Sequence, residues 1–377
     1  MKNKTIVIVG PAHPLRGGLA TFNERLAREF QKENIVSILT FNLQYPGFLF
    51  PGQSQYSGDP KPNDLVIEVK LNSINPFNWI KMGLKYKKLK PDLIVYRYWM
   101  PFFGPCFGLF ARLVKQNGHT KQVAITDNVI PHEKRFFDKA FTKYFFKPLD
   151  GFVAQSESVL KDIDLFDTQK PKLYNPHPLY DNFGEGISKE EACKKLGLDS
   201  AVTYLLLFGF IRHYKGLDLL LDSITDQRFA GRNLKLIIAG EFYEDRNKYD
   251  EQIEKLDIED RLIRRHEFIP NDLVSAYFSA ADLIVQTYHS ATQSGVTQVA
   301  YHFNKPVLVT DVGGMREYVT NNETGYLVKP DKKDVADKIE EFLNEDKNQF
   351  NTGIEEAKKR FSWKNLVESI SKVAFGQ

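Results

Sequence analysis

Two cations flank a glycine turn in Gly209-Phe210-Ile211-Arg212-His213-Tyr214-Lys215-Gly216-Leu217, directly after the apolar run Thr203 to Phe208. Arginine grips two oxygens at once and lysine supplies a point charge, so Arg212 and Lys215 suit a diphosphate. Solvated surface charges are the plainer alternative. A second cluster runs from Thr287 to Thr297 and concentrates Ser290, Thr292, Gln293, Ser294, Gly295 and Thr297 where a helix is expected to begin. Hydroxyls, amides and free N–H groups can bind sugar and phosphate oxygens without carrying charge. Simple capping by Ser294 would need one such residue, and here there are several. A third segment, Gly10-Pro11-Ala12-His13-Pro14-Leu15-Arg16-Gly17-Gly18, offers paired glycines at a helix start, which suits a phosphate or carboxylate or a plain strand-to-helix turn. It is not G-x-G-x-x-G, so a dinucleotide site is not implied. Asp311-Val312-Gly313-Gly314-Met315-Arg316-Glu317 is another glycine turn that alone could be structural.

All four segments follow apolar runs, and open parallel sheets bind ligands beyond the carboxyl ends of their strands. Thr5 to Val9, Ile35 to Thr40, Leu65 to Val69, Leu93 to Arg97, Gln122 to Thr126 and Gly151 to Ala154 read as strands. Amphipathic stretches such as Leu19 to Glu33, Trp79 to Lys90 and Phe102 to Lys115 lie between them. That alternation predicts a parallel sheet with helices on both faces. Prolines at 171, 176 and 178, followed by Asp181 to Gly186, place an interdomain linker there. A second series follows, with strands at Thr203 to Phe208, Leu234 to Ala239, Leu262 to Phe268, Leu283 to Gln286 and Pro306 to Thr310. The fold class is therefore α/β, with two Rossmann-like doubly wound domains at 1–178 and 187–361. The amphipathic stretch Trp363 to Phe375, with Leu366, Ile370 and Val373 on one face, is expected to cross back to the first domain as part of a helix at 362–377.

Bulk properties narrow the classes. The 377 residues, 42% hydrophobic and 26% charged, suit two cores. Met1 to Gly10 is too short an apolar region for a signal peptide, and Trp99 to Phe110 is broken by Pro101, Gly104 and Pro105. A cytoplasmic protein, soluble or peripheral at the inner membrane face, is expected. Cys106 and Cys193 lack metal-ligand spacing and read as packing residues. Between Lys70 and Asp150 stand 15 Lys and Arg against 5 Asp and Glu, a local charge of +10 in a chain of net +3. The same stretch is rich in aromatics: Trp79, Trp99, Phe102, Phe103, Phe136, Phe137, Phe145 and Phe146 sit among Lys85, Lys87, Lys88, Lys134, Lys139 and Lys143. Basic and aromatic residues on one surface suit contact with an anionic membrane and a lipid-linked acceptor, with part of the aromatics in the core. No nucleic-acid motif accompanies them, so no nucleic-acid partner is expected.

Taken together, Gly209, Lys215-Gly216-Leu217-Asp218, Ile238-Ala239-Gly240-Glu241, Pro306-Val307, Asp311-Val312-Gly313-Gly314, Glu317, Thr324-Gly325-Tyr326-Leu327-Val328 and Phe361-Ser362-Trp363 resemble glycosyltransferase family 4. In the first domain the likeness rests on Gly17-Gly18. The resemblance implies a GT-B fold, two Rossmann-like domains facing a central cleft, and sugar transfer with retention, without a metal or any cofactor beyond the nucleotide-sugar co-substrate. It places Lys215, with Arg212 beside it, on the leaving diphosphate, and Gly17-Gly18, preceded by Arg16, over that diphosphate from the opposite domain. Gly209, Glu241 and the backbone at Phe268, Ile269 and Pro270 would complete the nucleotide site, and Gln293, Ser294, Gly295, Val296, Thr297 and Gln298 the sugar and phosphate contacts.

The sequence departs from the family at several of these positions. The usual pair of glutamates falls at Ala291 and Val299, and the usual arginine after Gly209 is Phe210. Gln293, Thr297 and Gln298 are the candidates to hold hydroxyls instead, an amide being both donor and acceptor. The histidine expected near the end of the strand at Gln122 is replaced in Thr126-Asp127-Asn128, which makes Asp127 a catalytic candidate, although His132-Glu133 follows. His132 could orient the sugar or move a proton, or simply pair with Glu133 in solvent. The expected function is retaining transfer from a nucleotide sugar to a glycan or lipid-linked glycan. The alternative is a GT-B-like protein that binds nucleotide sugars, or serves as a scaffold, and has lost catalysis with the carboxylates. A Rossmann oxidoreductase is disfavoured by the missing fingerprint.

Overall fold

The computed structural model describes residues 1–47, 54–130, 135–291 and 293–376. The chain divides into two compact units, Met1–His177 with Ser362–Gln377, and Pro178–Phe361.

The first unit is built on strands β1 (Thr5–Val9), β2 (Ile35–Leu43), β3 (Ile67–Asn72), β4 (Leu93–Tyr98), β5 (Lys121–Thr126), β6 (Gly151–Ala154) and β7 (Lys172–Tyr174). They form one parallel sheet in the order β3-β2-β1-β4-β5-β6-β7. Because helices cover both faces, the central strands read as mostly apolar runs, and every residue of β4 is buried, Arg97 included. Asn75 starts the helix Pro76–Leu89, its side chain accepting from the Phe77 and Asn78 amides, with Pro76 in the first turn. Ser362 caps the helix Trp363–Phe375, which buries Leu366, Ile370 and Val373 and packs on β5, β6, β7 and the helix Gly18–Gln31.

Two expectations need correction here. The linker placed at Pro171 to Pro178 begins later, because Lys172–Tyr174 adds an edge strand to β6, and an edge tolerates the flanking Pro171. The aromatics expected on a basic surface mostly point inward. Phe103, Phe145 and Phe146 are core, Trp79, Trp99 and Phe102 pack against it, Phe137 is half-buried, and of the eight only Phe136 stands in solvent, 98% exposed. The exposed apolar stripe lies instead on the helix Pro76–Leu89. Phe77, which is 83% exposed, Ile80 and Leu84 are spaced to share one face beside Lys81, Lys85 and Lys88, and the helix has no acidic residue. Among the described residues no helix is long and apolar enough to cross a membrane.

The second unit carries β8 (Thr203–Phe208), β9 (Leu234–Ala239), β10 (Leu262–Arg265), β11 (Leu283–Gln286), β12 (Val307–Thr310) and β13 (Gly325–Val328), again parallel, in the order β10-β9-β8-β11-β12-β13. β10 stops at Arg265, short of the expected Phe268, because its partner β9 ends opposite at Ala239 and Gly240 turns away at φ 152°. β13, which was not expected, needs Gly325: a β-carbon there would lie 1.9 Å from the Val307 carbonyl oxygen. Both units are thus doubly wound α/β. Strand order reverses between β1 and β4 in one and between β8 and β11 in the other, and ligands of such sheets bind at that point.

Candidate active site

At the β8/β11 reversal, the segments that follow β8 and β11 meet. Gly209 follows β8 at φ 94°, and a β-carbon on it would lie 3.2 Å from Lys215 Nζ and 4.0 Å from Val296 Cγ2. Gly216 sits at φ 66° with its β position 1.8 Å from the Thr287 carbonyl oxygen, so only glycine lets the two loops touch. Thr287 Oγ1 donates to the Gly216 carbonyl at 2.8 Å, and the His289 amide to the Tyr214 carbonyl at 2.7 Å. The loops after β8 and β11 are laced into one surface.

Lys215 lies in that surface, 9% exposed, its ammonium 5.7 Å from the centre of the Tyr288 ring. Burial, and then repulsion from Arg212, push its pKa down to about 8, and no carboxylate offsets either effect. A buried cation without a counter-charge among the described residues, at the switch point of a doubly wound sheet, is suited to an incoming anion. Arg212 is exposed, with its guanidinium 5.3 Å from the Tyr243 ring. Phe210, where the family has arginine, packs on Tyr243 at 4.2 Å and lies 6.3 Å from Phe268. These three half-buried rings, from the loops after β8, β9 and β10, make an aromatic wall beside the two cations. Ile269 is buried and Pro270 leads into the helix Asn271–Ala280. Glu241 is buried, and its carbonyl accepts from the Ile211 amide and holds the Gly209 loop.

The loop after β11 is more structural than its composition suggests. Ser294 caps the helix Gly295–His302, accepting from the Val296 amide at 3.3 Å, and donates to Gln286 Oε1 at 2.5 Å. Gln286 Nε2 donates to Thr297 Oγ1 at 2.9 Å. The hydroxyls of Ser294 and Thr297 are therefore engaged inward, fixing the start of the helix. Gln286 escaped the sequence reading; its signal was an amide closing the apolar strand Leu283–Gln286. Gln298 is fully buried, and neither its Oε1 nor its Nε2 has a hydrogen-bond partner among the described residues. An amide in that condition is costly unless something else satisfies it. Gln293 is half-buried. Ala291 and Val299 are buried apolar residues, and a β-carbon on Gly313 would lie 1.8 Å from the Ala291 carbonyl oxygen. Thr292 and His132 lie outside the described residues.

In the first unit the β1/β4 reversal is occupied by a buried ion pair. Arg97, from the end of β4, donates through Nη2 to Asp127 Oδ1 at 2.5 Å and to Gln155 Oε1 at 2.7 Å. Its guanidinium stacks 3.7 Å from the Phe22 ring centre. Asp127 is thus a buried partner of Arg97, placed just after β5, and not a solvent-facing acid. Arg97 was missed, although an arginine inside Leu93–Tyr98 was the cue. Around it the Gly10 to Gly18 loop is braced: the Ala12 amide donates to Thr40 Oγ1, Asn23 Nδ2 to the Pro11 carbonyl and the His13 amide to Glu24 Oε1. The Arg16 amide donates to the Gln55 carbonyl at 3.0 Å, and Gly17, at φ 102°, starts the helix Gly18–Gln31 without a side-chain cap.

A doubly wound pair of units with this cation-lined switch point is the architecture of GT-B glycosyltransferases. The chain is similar over its whole length to the HepE protein of Anabaena in complex with UDP and glucose, with TM-score 0.76, 15% identity and full coverage of both chains. It is equally similar in fold to a glycosyltransferase of Rickettsia africae, with TM-score 0.75, 17% identity and full coverage of both. At such identities the likeness speaks for fold alone. Residues 188–360 match the family model of glycosyl transferases group 1. Among curated relatives, a lipopolysaccharide core biosynthesis mannosyltransferase of Rhizobium meliloti is 27% identical over 215 residues, 54% of this chain and 58% of the relative. An uncharacterized glycosyltransferase of Methanocaldococcus jannaschii is 30% identical over 171 residues, 45% of this chain and 46% of the relative. The chain spans about half the length of the curated relatives it matches.

Proposed function

We propose that this protein transfers a sugar, with retention, from a nucleoside diphosphate sugar to a glycan or lipid-linked glycan. The observation that carries the reading is Lys215, a buried ammonium beside Gly209 and Val296 with no carboxylate to answer it among the described residues. Lys215, Arg212 and the first N–H groups of the helix Gly295–His302 take the diphosphate, and no metal ion is required for that task. The Phe210–Tyr243–Phe268 wall stacks the base. The Gln298 amide, whose two polar atoms have no partner among the described residues, takes sugar hydroxyls where the family uses carboxylates. The acceptor hydroxyl attacks from the face the diphosphate leaves, and the protein contributes position and electrostatics, not a nucleophile. The relatives' names, a mannosyltransferase of lipopolysaccharide core and a UDP and glucose complex, support this donor and acceptor class.

The apolar side chains of Ala291 and Val299 favour one competing reading, a protein that binds nucleotide sugars without transferring them. A thermal-shift panel of nucleoside diphosphates followed by turnover of the matching donors separates the two. We expect one base to raise the melting temperature, and its sugar conjugate to be hydrolysed slowly or transferred. Gln298→Leu should weaken the sugar conjugate more than the bare diphosphate. A shift without turnover would leave only the binding reading, and no shift with any diphosphate would remove both.

The stripe of Phe77, Ile80 and Leu84, flanked by lysines, is the part of the chain suited to an anionic membrane surface, and we propose that it makes peripheral contact there. In a flotation assay the protein should rise with anionic vesicles and remain below with zwitterionic ones. Replacing all three residues by serine should abolish the rise, and its persistence would rule out this face.

A further inference from the structure

We propose that His213, Asp218 and His289 form a binding site for a divalent transition-metal cation such as Zn²⁺, a property independent of the sugar-transfer reading. Each residue offers one ligand atom, and the three atoms all lie within 4.8 Å of one another. His289 Nε2 is 3.0 Å and 3.1 Å from the two Asp218 carboxylate oxygens. A histidine–aspartate pair needs no third member, yet the His213 ring is brought to 5.0 Å from the His289 ring, centre to centre. Two imidazoles and one carboxylate are the ligand set of zinc and its neighbours, whereas magnesium and calcium prefer oxygen alone. Zinc sites with three protein ligands leave a fourth position for water.

The backbones carrying these side chains are held in place already. His213 opens the short turn His213–Lys215, whose Gly216 is locked against Thr287. Asp218 stands in the first turn of the helix Leu217–Ile224, and the His289 amide is tied to the Tyr214 carbonyl. Both imidazoles are exposed and Asp218 is half-exposed, so an ion can enter from solvent. Ligand bonds of about 2.0–2.2 Å require the three atoms to draw together by roughly an ångström, which exposed side chains on fixed backbones can do by small rotations. The ion would staple the loop after β8 to the loop after β11, two residues from Lys215, and add positive charge near the anion site without touching the donor.

The full chain, stripped with EDTA and dialysed, is titrated with Zn²⁺ by calorimetry and with Co²⁺ by visible absorption, which reports coordination geometry directly. One ion per chain is expected, with Mg²⁺ giving no heat. His213→Ala and His289→Ala should each weaken Zn²⁺ binding by more than about tenfold, while His302→Ala, on a different surface, should not. Each variant, being an exposed substitution, should melt in EDTA as the parent does, which keeps misfolding from imitating the result. Absence of saturable binding, or a site that survives in the His213→Ala, His289→Ala double variant, would overturn the proposal.

Discussion

Lys215→Met lowers turnover of the accepted donor by about 10²–10³-fold, or roughly 3–4 kcal/mol of transition-state stabilisation, the usual cost of deleting a preorganised group at a developing charge. The loss should fall more on kcat than on KM, because the diphosphate gains negative charge as it departs. The same variant is expected to be more stable than the parent in the absence of ligand at neutral pH. Lys215 is 9% exposed, its ammonium lies near the Tyr288 ring, and no carboxylate among the described residues pairs with it, so folding strips its water without compensation. A methionine of similar length removes that cost. Gain of stability with loss of function is the signature of a charge kept for its ligand. Kinetics matching the parent would sink this assignment.

The direction of the pH dependence follows from the same burial. Lys215 titrates near 8 in the folded protein against an ordinary 10.5. Between those values the unfolded chain holds a proton that the folded chain has released, so this group makes the unliganded protein more stable as pH rises from about 8 to 10.5. Diphosphate affinity runs the other way. It weakens above about pH 8, where binding must recapture a proton, and calorimetry in buffers of different ionisation enthalpy should register that uptake.

The strands were legible because helices cover both faces of each sheet, which makes β4, β8 and β9 mostly apolar, with Arg97 and Lys235 the charged exceptions in β4 and β9. β7 was not, since Lys172–Tyr174 is a three-residue edge among prolines and carries no apolar run. Glycine turns in sequence point to the loops that the structure gathers at the β8/β11 reversal, but the allocation of their polar residues was not visible there. Ser294 and Thr297 look like ligand groups until Gln286, eight and eleven residues earlier, is seen to bind both. The aromatic wall was half visible: Phe268 was named for its backbone, whereas Phe210 appeared as a missing arginine and only contact with Tyr243 gives it a part. Residues brought together by topology, not spacing, are what a single sequence conceals.

Arg97 and Asp127 are the sharpest instance, 30 residues apart and 2.5 Å from each other. Removing either charge alone should destabilise the first unit by about 3–5 kcal/mol, because the survivor stays buried without its partner. Asp127→Asn preserves shape but not charge and leaves the Arg97 guanidinium with neutral acceptors and the Phe22 ring only. Arg97→Met in turn leaves a buried carboxylate. Replacing both, Arg97→Met with Asp127→Leu, should recover most of the loss, since two apolar groups of similar volume often match a buried ion pair. Urea denaturation of the parent, Arg97→Met, Asp127→Leu and the double variant reads the cycle directly, with Asp127→Asn beside them as the variant that keeps the shape. The result also decides what Asp127 is. A catalytic acid or base free to exchange protons would, as Asp127→Asn, lose kcat and keep its stability. A clamp joining the ends of β4, β5 and β6 loses stability first, and the double variant then restores the fold while leaving the loop after β5 without its anchor. If the double variant is as unstable as the singles, the two charges are not acting as a pair.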